Sequence, residues 1–225
     1  MVTTAIASTR ENRNDTAAPV VRIGVLSVQG AFAAHEQLLR PLGVTPVQVR
    51  EPADLDGLAG LVLPGGESTA MTLLMGSGGL WQALAEFVRR GRPVLGTCAG
   101  AILLAGDIRD GRPDQLSLGA VDVSVRRNGF GRQVASFEVG LTLSFDGDRP
   151  FPGVFIRAPV IEKVGGGVEV LAQVLSPEGP TPVLCRQDNV VISTFHPELT
   201  GDPRVHLLAF GALVEPAGYR TAREG

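Results

Sequence analysis

The sequence has little of several features that define particular classes of protein. It contains two cysteines in 225 residues, which excludes a disulfide framework and fits a reducing compartment. Its formal net charge is −3, whereas a nucleic-acid-binding domain needs a strongly basic face. No apolar run reaches the roughly 18 residues that a membrane span requires, and residues 1–20 lack the apolar block of a secretory signal. We therefore expect a cytoplasmic protein that binds neither nucleic acid nor membrane.

What the chain does contain indicates one folded unit. Hydrophobic residues make up 44% of the chain, enough for a full core, and 29 glycines with 16 prolines indicate many tight turns. The length fits a single α/β domain. We predict a disordered N-terminal tail over residues 1–19, a domain over 20–215 and a C-terminal tail over 216–225.

Strand-like and helix-like patterns alternate along the chain, as in a parallel sheet with helices on both faces. Strands are predicted at 21–28, 44–49, 60–63, 93–96, 168–174, 183–186 and 190–195, and helices at 31–39, 80–90 and 203–214. Apolar and polar residues alternate in three segments, 121–125, 136–139 and 141–145. This alternation predicts strands with one solvent-exposed face, in an antiparallel portion of the sheet. The fold class expected is α/β, with an open, mostly parallel sheet and an antiparallel extension.

Gly96-Thr97-Cys98-Ala99-Gly100 places a cysteine between glycines directly after an apolar strand. Such a frame suits a nucleophile on a tight strand-to-helix turn, where there is no space for side chains two residues before and after it. The helix N-terminus favours a thiolate. Without this context, Cys98 would be more simply explained as a buried hydrophobic residue. Cys185 lacks a glycine frame and is predicted to be a core residue.

A candidate base and a candidate orienting acid follow the last predicted strand. His196 should emerge at the carboxyl end of that strand, where ligands bind in open α/β sheets. Glu198 is placed to fix the tautomer of the imidazole. The alternative is that His196 is a non-catalytic histidine with its hydrogen bonds satisfied and that Glu198 is a surface residue. His35 and His206 are weaker candidates because both fall in helical patterns, where a core or solvated role is commoner.

Other polar segments are expected at the same sheet edge. Pro64-Gly65-Gly66-Glu67-Ser68-Thr69 follows a strand, and its glycines suit close approach of backbone N–H groups to an oxyanion. An ordinary turn with Ser68 as a helix cap is the simpler alternative. Gln29 ends the first strand. Arg127 and Arg157 could bring guanidinium groups suited to a substrate carboxylate, although each is also consistent with a surface residue.

Together these motifs resemble the class I, triad-type glutamine amidotransferases, over residues 21–214. The closest resemblance is to the glutaminase subunits of pyridoxal 5′-phosphate synthase, carried by Val28-Gln29-Gly30, the two glycine motifs above, Arg127-Asn128-Gly129-Phe130-Gly131-Arg132-Gln133, Phe155-Ile156-Arg157-Ala158-Pro159 and Phe195-His196-Pro197-Glu198-Leu199-Thr200. The longer N-terminal tail and the segment 109–118 depart from that pattern.

The resemblance implies a three-layer, flavodoxin-like fold that hydrolyses L-glutamine and needs no cofactor or metal. It implies a Cys98, His196 and Glu198 triad and an oxyanion site at the backbone of Gly66 and Ala99. It further implies glutamine contacts from Gly66, Glu67, Ser68, Arg127, Ile156 and Arg157, with Gln29 at the edge of the site.

The glutaminase-like domain accounts for nearly the whole chain, so the ammonia acceptor is expected on a separate partner. The resemblance names that partner as a (β/α)8-barrel synthase subunit, without which glutaminase activity should be low. Two alternatives remain. One is a cysteine hydrolase of the intracellular protease-like type, although those usually place histidine directly after the cysteine, where this chain has Ala99. The other is a non-catalytic regulatory subunit that has kept the fold.

Overall fold

The structure is a computed structural model that describes residues 20–76, 78–112, 115–127, 136–176 and 179–214. The helices are α1 (Phe32–Leu39), α2 (Ser68–Met75), α3 (Leu80–Arg89), α4 (Ala99–Leu104) and α5 (Arg204–Phe210). The strands are β1 (Arg22–Leu26), β2 (Thr45–Val49), β3 (Gly60–Leu63), β4 (Val94–Thr97), β5 (Ala105–Arg109), β6 (Val121–Arg126), β7 (Ser136–Leu143), β8 (Asp146–Ile156), β9 (Val160–Val164), β10 (Glu169–Ser176), β11 (Gly179–Gln187) and β12 (Val190–Ser193). Both predicted tails, 1–19 and 216–225, lie outside the described residues.

The main sheet has seven strands in the order β10-β11-β12-β4-β3-β1-β2. The strands from β12 to β2 pair in parallel, while β10, β11 and β12 pair antiparallel. The predicted mostly parallel sheet with an antiparallel extension is therefore confirmed. The parallel strands are almost continuously apolar because helices cover the sheet on both faces.

Successive strand residues face opposite sides of the sheet, which divides the core into two clusters. On β3, Leu61 and Leu63 join the cluster formed with α2, α3 and α4, whereas Val62 joins the cluster formed with α1 and α5. The result is the expected three-layer arrangement of helices, sheet and helices.

The predicted position of the alternating strands was wrong. The segments 121–125 and 136–145 do not join the main sheet: β6 lies in a three-stranded sheet of order β5-β6-β9, and β7 pairs with β8 in a two-stranded sheet. The alternation of β6 does give one buried and one exposed face, as predicted. An apolar–polar alternation with a period of two specifies which face of a strand is exposed to solvent, but it does not specify which sheet the strand joins.

Strand register brings the candidate functional segments to one edge of the main sheet. Ser193 of β12 pairs with Thr97 of β4, and Leu63 of β3 pairs with Gly96 of β4. These parallel strands end together, so the segments that follow them meet at the carboxyl edge. No helix within the described ranges is long and apolar enough to cross a membrane.

The turn after β4 is packed so closely that one added methyl group at Gly100 should destabilise the fold. A Cβ on Gly100 would collide with the backbone carbonyl of Leu63, which cannot move without shifting β3. We expect Gly100→Ala to lower the free energy of unfolding by about 1–3 kcal/mol, measured by urea denaturation. Gly211→Ala is the matched control, because an added Cβ there meets nothing within 4 Å. Equal stability of the two variants would contradict this account of the turn.

Candidate active site

Cys98 occupies a strained turn between β4 and α4. Its backbone has φ 49° and ψ −102°, a conformation that costs a non-glycine residue on the order of 1–3 kcal/mol. The Cys98 N–H donates to the carbonyl of Ser193 at 2.8 Å, which ties the turn to β12. The side chain is 7% exposed, and its Sγ lies 4.0 Å from the carbonyl oxygen of Ile156. The sharp turn expected from the glycine frame is present.

His196 and Glu198 form a tightly bonded pair beside this thiol. His196 Nδ1 lies 2.7 Å from Glu198 Oε1, and the two residues are only 8% and 5% exposed. The His196 N–H donates to the carbonyl of Val154 at 2.8 Å, so β8 helps to position the ring. The ring also packs so closely on Gly65 that a side chain there would displace it.

The surroundings of His196 favour its charged form. Burial lowers the pKa of this imidazole, but hydrogen bonds to Cys98 and Glu198 and their negative charges outweigh burial and raise the pKa to about 10. His196 is therefore an imidazolium at neutral pH. The arrangement fits a thiolate–imidazolium pair whose far ring nitrogen is held by a carboxylate.

The glycine turn after β3 is held from three sides. The Gly65 N–H donates to Thr97 Oγ1 at 3.0 Å, and the Gly65 carbonyl accepts from the N–H of Ala31 at 2.9 Å. The Glu67 N–H donates to Gln29 Oε1 at 2.9 Å. Gly66 lies between these anchors. A Cβ on Gly66 would displace the end of the Gln29 side chain, which bonds the Glu67 N–H, and would crowd the backbone of Gly30.

Glu67, not Ser68, caps the helix that follows the turn. Its carboxylate accepts from the N–H groups of Thr69 at 3.0 Å and Ala70 at 2.7 Å. Partial burial tends to raise the pKa of this carboxyl, but these hydrogen bonds and the charge of Arg127 lower it overall. Glu67 Oε1 also accepts from Arg127 Nη2 at 3.0 Å, which connects the cap to the end of β6. The predicted glutamine contact of Glu67 therefore competes with a structural role.

Arg127 is held in place by several groups. Besides Glu67, its Nη2 donates to Thr69 Oγ1 at 2.9 Å, and its Nη1 donates to Gln115 Oε1 at 3.3 Å. The rest of the motif that begins at Arg127, residues 128–133, lies outside the described residues. Arg157 follows β8 with φ 45°, a second unusual backbone conformation beside the thiol.

A cavity of about 400 Å³ brings most of the predicted site residues together. Its lining includes Gln29, Gly66, Glu67, Ser68, Cys98, Ala99, Arg127, Ile156, Arg157 and His196. Of the predicted set, Glu198 alone is not among the lining residues, since it lies behind His196. The contacts of these residues with a substrate stay predictions.

Sequence reasoning missed several residues that shape the site. Thr97, Ala31 and Gln115 hold the glycine turn or Arg127, but nothing in their local pattern distinguishes them from ordinary strand and loop residues. Cys185 is fully buried in β11, and burial raises the pKa of its thiol to about 12, as fits a core residue. Within the described ranges, no group of three or more His, Cys, Asp or Glu residues could hold a metal ion.

A buried thiol beside an imidazole–carboxylate pair, at the carboxyl edge of a parallel sheet, is the arrangement of cysteine-dependent acyl-transfer enzymes. Comparison with family models refines this class: the chain belongs to the SNO glutamine amidotransferase family, whose model matches residues 25–215. The predicted family and the predicted class of enzyme are confirmed.

Curated relatives agree with this assignment. The chain is 52% identical over 184 residues to a protein of Corynebacterium jeikeium, covering 82% of this chain and 92% of the relative. It is 49% identical over 201 residues to one of Nocardia farcinica, covering 88% of each, and 48% identical over 198 residues to one of Deinococcus radiodurans, covering 87% and 98%. All three are named pyridoxal 5′-phosphate synthase subunit PdxT.

Solved structures confirm the fold. A crystal structure of a glutamine amidotransferase superposes with a TM-score of 0.76 at 46% identity, covering 84% of this chain and 97% of that one. The structure of PurLQS from Thermotoga maritima superposes with a TM-score of 0.66 at 17% identity, covering 86% and 99%, and shares the fold alone.

The raised pKa of His196 makes the stability of the fold depend on pH. Its pKa is raised from 6.5 to about 10, so the folded chain holds an extra proton between these values and loses the corresponding stability as pH rises through about 10. We expect the His196 ring to stay protonated to pH 9 in a histidine-ring NMR titration. Glu198→Gln should lower this pKa, because it removes the carboxylate charge.

His35 and His206 are internal controls, since burial lowers the pKa of both rings below 6.5. A His196 ring that titrates near pH 6.5, or one that titrates unchanged in Glu198→Gln, would contradict this electrostatic account.

Proposed function

We propose that this chain is a glutaminase that hydrolyses the side-chain amide of L-glutamine to glutamate and ammonia. The observation that carries the proposal is a cavity in which the Cys98 thiol and His196, bonded to Glu198 behind it, face a glycine turn and two arginines. Membership of the glutamine amidotransferase family supports the choice of glutamine as the amide.

The reaction proceeds by attack of the Cys98 thiolate on the amide carbon. The carbonyl π electrons move to oxygen, and the resulting tetrahedral species collapses to a thioester as His196 transfers a proton to the departing nitrogen. Water then attacks the thioester while the neutral His196 takes a proton from it, which restores the imidazolium. The C–S bond breaks to restore the Cys98 thiolate, and the product leaves as glutamate after its new carboxyl group loses a proton to solvent. The raised pKa of His196 supports its role as the acid, because the ring carries the required proton at neutral pH.

Backbone N–H groups of Gly66 and Ala99 stabilise the developing oxyanion. Ala99 is the first residue of α4, where an N–H has no partner within the helix. Gly66 is fixed between the anchored residues Gly65 and Glu67. Loss of one such donor costs about 3 kcal/mol, or roughly a hundredfold in rate.

The α-carboxylate and α-amino groups of glutamine bind within the same cavity. Arg127 and Arg157 line it and bring two guanidinium groups suited to the substrate carboxylate. Gly66, Glu67, Ser68 and Ile156 complete the glutamine-binding set, with Gln29 at its edge.

The ammonia is used by a partner chain. The names of the relatives support a role for this chain as a subunit of pyridoxal 5′-phosphate synthase, and we propose that its partner is a (β/α)8-barrel synthase subunit. Ile156 and Leu199 are partly exposed apolar residues on the cavity lining, and they offer an apolar rim for that partner to cover. We assign residues 20–215 to the glutaminase domain and place the protein in the cytoplasm.

Ammonia release from L-glutamine tests this function. Wild-type protein should release ammonia when the synthase subunit is present and much less when it is absent, because the partner covers the apolar rim at Ile156 and Leu199 and excludes water from the site. Cys98→Ala should lower the rate by about 10³-fold or more, since the nucleophile is lost.

Cys185→Ala is the matched control, because this thiol is buried away from the cavity and its loss should leave the rate close to that of wild type. Absence of ammonia from wild type with the partner would favour a non-catalytic subunit. Release that survives Cys98→Ala would exclude the proposed nucleophile.

A further inference from the structure

A chain of buried polar side chains continues behind Glu198, away from the cavity. His35 of α1 and His206 of α5 are both 0% exposed, and His35 Nδ1 lies 2.9 Å from His206 Nε2. The other nitrogen of His35, Nε2, lies 3.2 Å from Thr97 Oγ1 and 3.4 Å from Glu198 Oε2. Neither histidine lines the cavity, so the proposed reaction leaves both without a role.

Both rings are neutral at physiological pH. Burial lowers the pKa of His35 well below 6.5, and the nearby His206 and His196 lower it further. Burial alone lowers the pKa of His206 to about 4. Each ring therefore carries one N–H, and the contact of His35 with Glu198 is a neutral N–H facing a carboxylate, not an ion pair.

The buried carboxylate decides which nitrogen of His35 holds the proton. Glu198 Oε1 is bonded to His196, while Oε2 has no well-formed hydrogen bond among the described residues. A buried carboxylate oxygen without a donor is costly, and His35 Nε2 is the group that faces it. A proton on Nε2, which lies 3.2 Å from Thr97 Oγ1 and 3.4 Å from Glu198 Oε2, turns the positive end of an N–H dipole toward the carboxylate, whereas a proton on Nδ1 would turn a lone pair toward the negative charge.

His206 completes this assignment. With the His35 proton on Nε2, His35 Nδ1 accepts a hydrogen bond from His206 Nε2–H. His206 Nδ1 then lacks a proton, and it is unpartnered among the described residues. An unfilled acceptor at this position is less costly than an unbonded carboxylate oxygen beside a lone pair.

Four side chains from different parts of the fold make up the buried cluster around Glu198. His35 on α1 and His196 in the same turn contact the carboxylate, while Thr97 at the end of β4 and His206 on α5 contact His35. Thr97 Oγ1 also accepts from the Gly65 N–H, so the same cluster reaches the glycine turn.

We propose that His35 is a positioning residue for the glutaminase reaction: its Nε2–H holds Glu198 against His196, and His206 fixes the tautomer that makes this possible. The role in catalysis rests on the proposed function, but the positioning of Glu198 does not. A less firmly held carboxylate stabilises the His196 imidazolium less well and so shifts the proton back to the Cys98 thiol.

Alkylation of Cys98 by iodoacetamide tests this without glutamine. Peptide mass spectrometry resolves Cys98 from buried Cys185, which serves as the internal control. We expect His35→Leu to lower the pKa of His196 by about one unit, which lowers the ratio of the thiolate–imidazolium pair to the neutral pair about tenfold. Cys98 alkylation at pH 7 should slow by up to that factor and should converge on the wild-type rate near pH 11. His35→Gln, whose amide offers an N–H toward Glu198, should recover the rate to within about twofold.

Val205→Ala is the matched control for general destabilisation, since Val205 is a buried apolar residue of α5. It should lower the Tm without changing the alkylation rate. A normal alkylation rate in His35→Leu, or equal slowing in the Leu and Gln variants, would overturn the proposal.

Nitrogen-15 NMR of the wild-type histidines keeps the proposal testable if the variants fail to fold. We expect His35 and His206 to remain neutral Nε2–H tautomers from pH 5 to pH 9. A neutral Nδ1–H tautomer at His35 would overturn the assignment. These readouts are separate from the proposed function, because wild type that releases no ammonia from glutamine would remove the function and leave the tautomers and the thiol reactivity unchanged.

Discussion

The backbone of Cys98 is the constraint on which the rest of the site depends. A cysteine with φ 49° and ψ −102° persists only where the surroundings fix it. Here Gly100 lies directly against the carbonyl of Leu63, and Gly96 lies against Gly100 and Leu104. This contact lets α4 start immediately at the sheet edge, so that the thiol sits at the helix N-terminus and within reach of His196.

Behind that turn, charged and polar side chains follow one another into the core. The thiol faces an imidazole, the imidazole is held by a carboxylate, and the carboxylate is backed by two neutral histidines from helices on the far side. Exposure falls from 7% at Cys98 and 8% at His196 to 5% at Glu198 and 0% at both histidines. Such a polar cluster is stable only if its members satisfy one another, which explains why α1 and α5 carry histidines at positions that would otherwise be apolar.

The fold and the centre of the site could be predicted because their signals are local. An apolar strand followed by a glycine-framed cysteine, and a second strand followed by His196 and Glu198, specify an edge at which these groups meet. The sheet membership of β6 and β7 could not be predicted, because alternation carries no information about the partner strand.

Contacts between residues that are far apart in the sequence could not be predicted either. Nothing local indicates that His35 meets Glu198. The most direct measurement of the central claim is intact-mass and peptide analysis of protein quenched in acid during turnover of L-glutamine with the synthase subunit. The account predicts a glutamyl thioester on Cys98. Ammonia release with no adduct at Cys98, or with the adduct at Cys185, would contradict it.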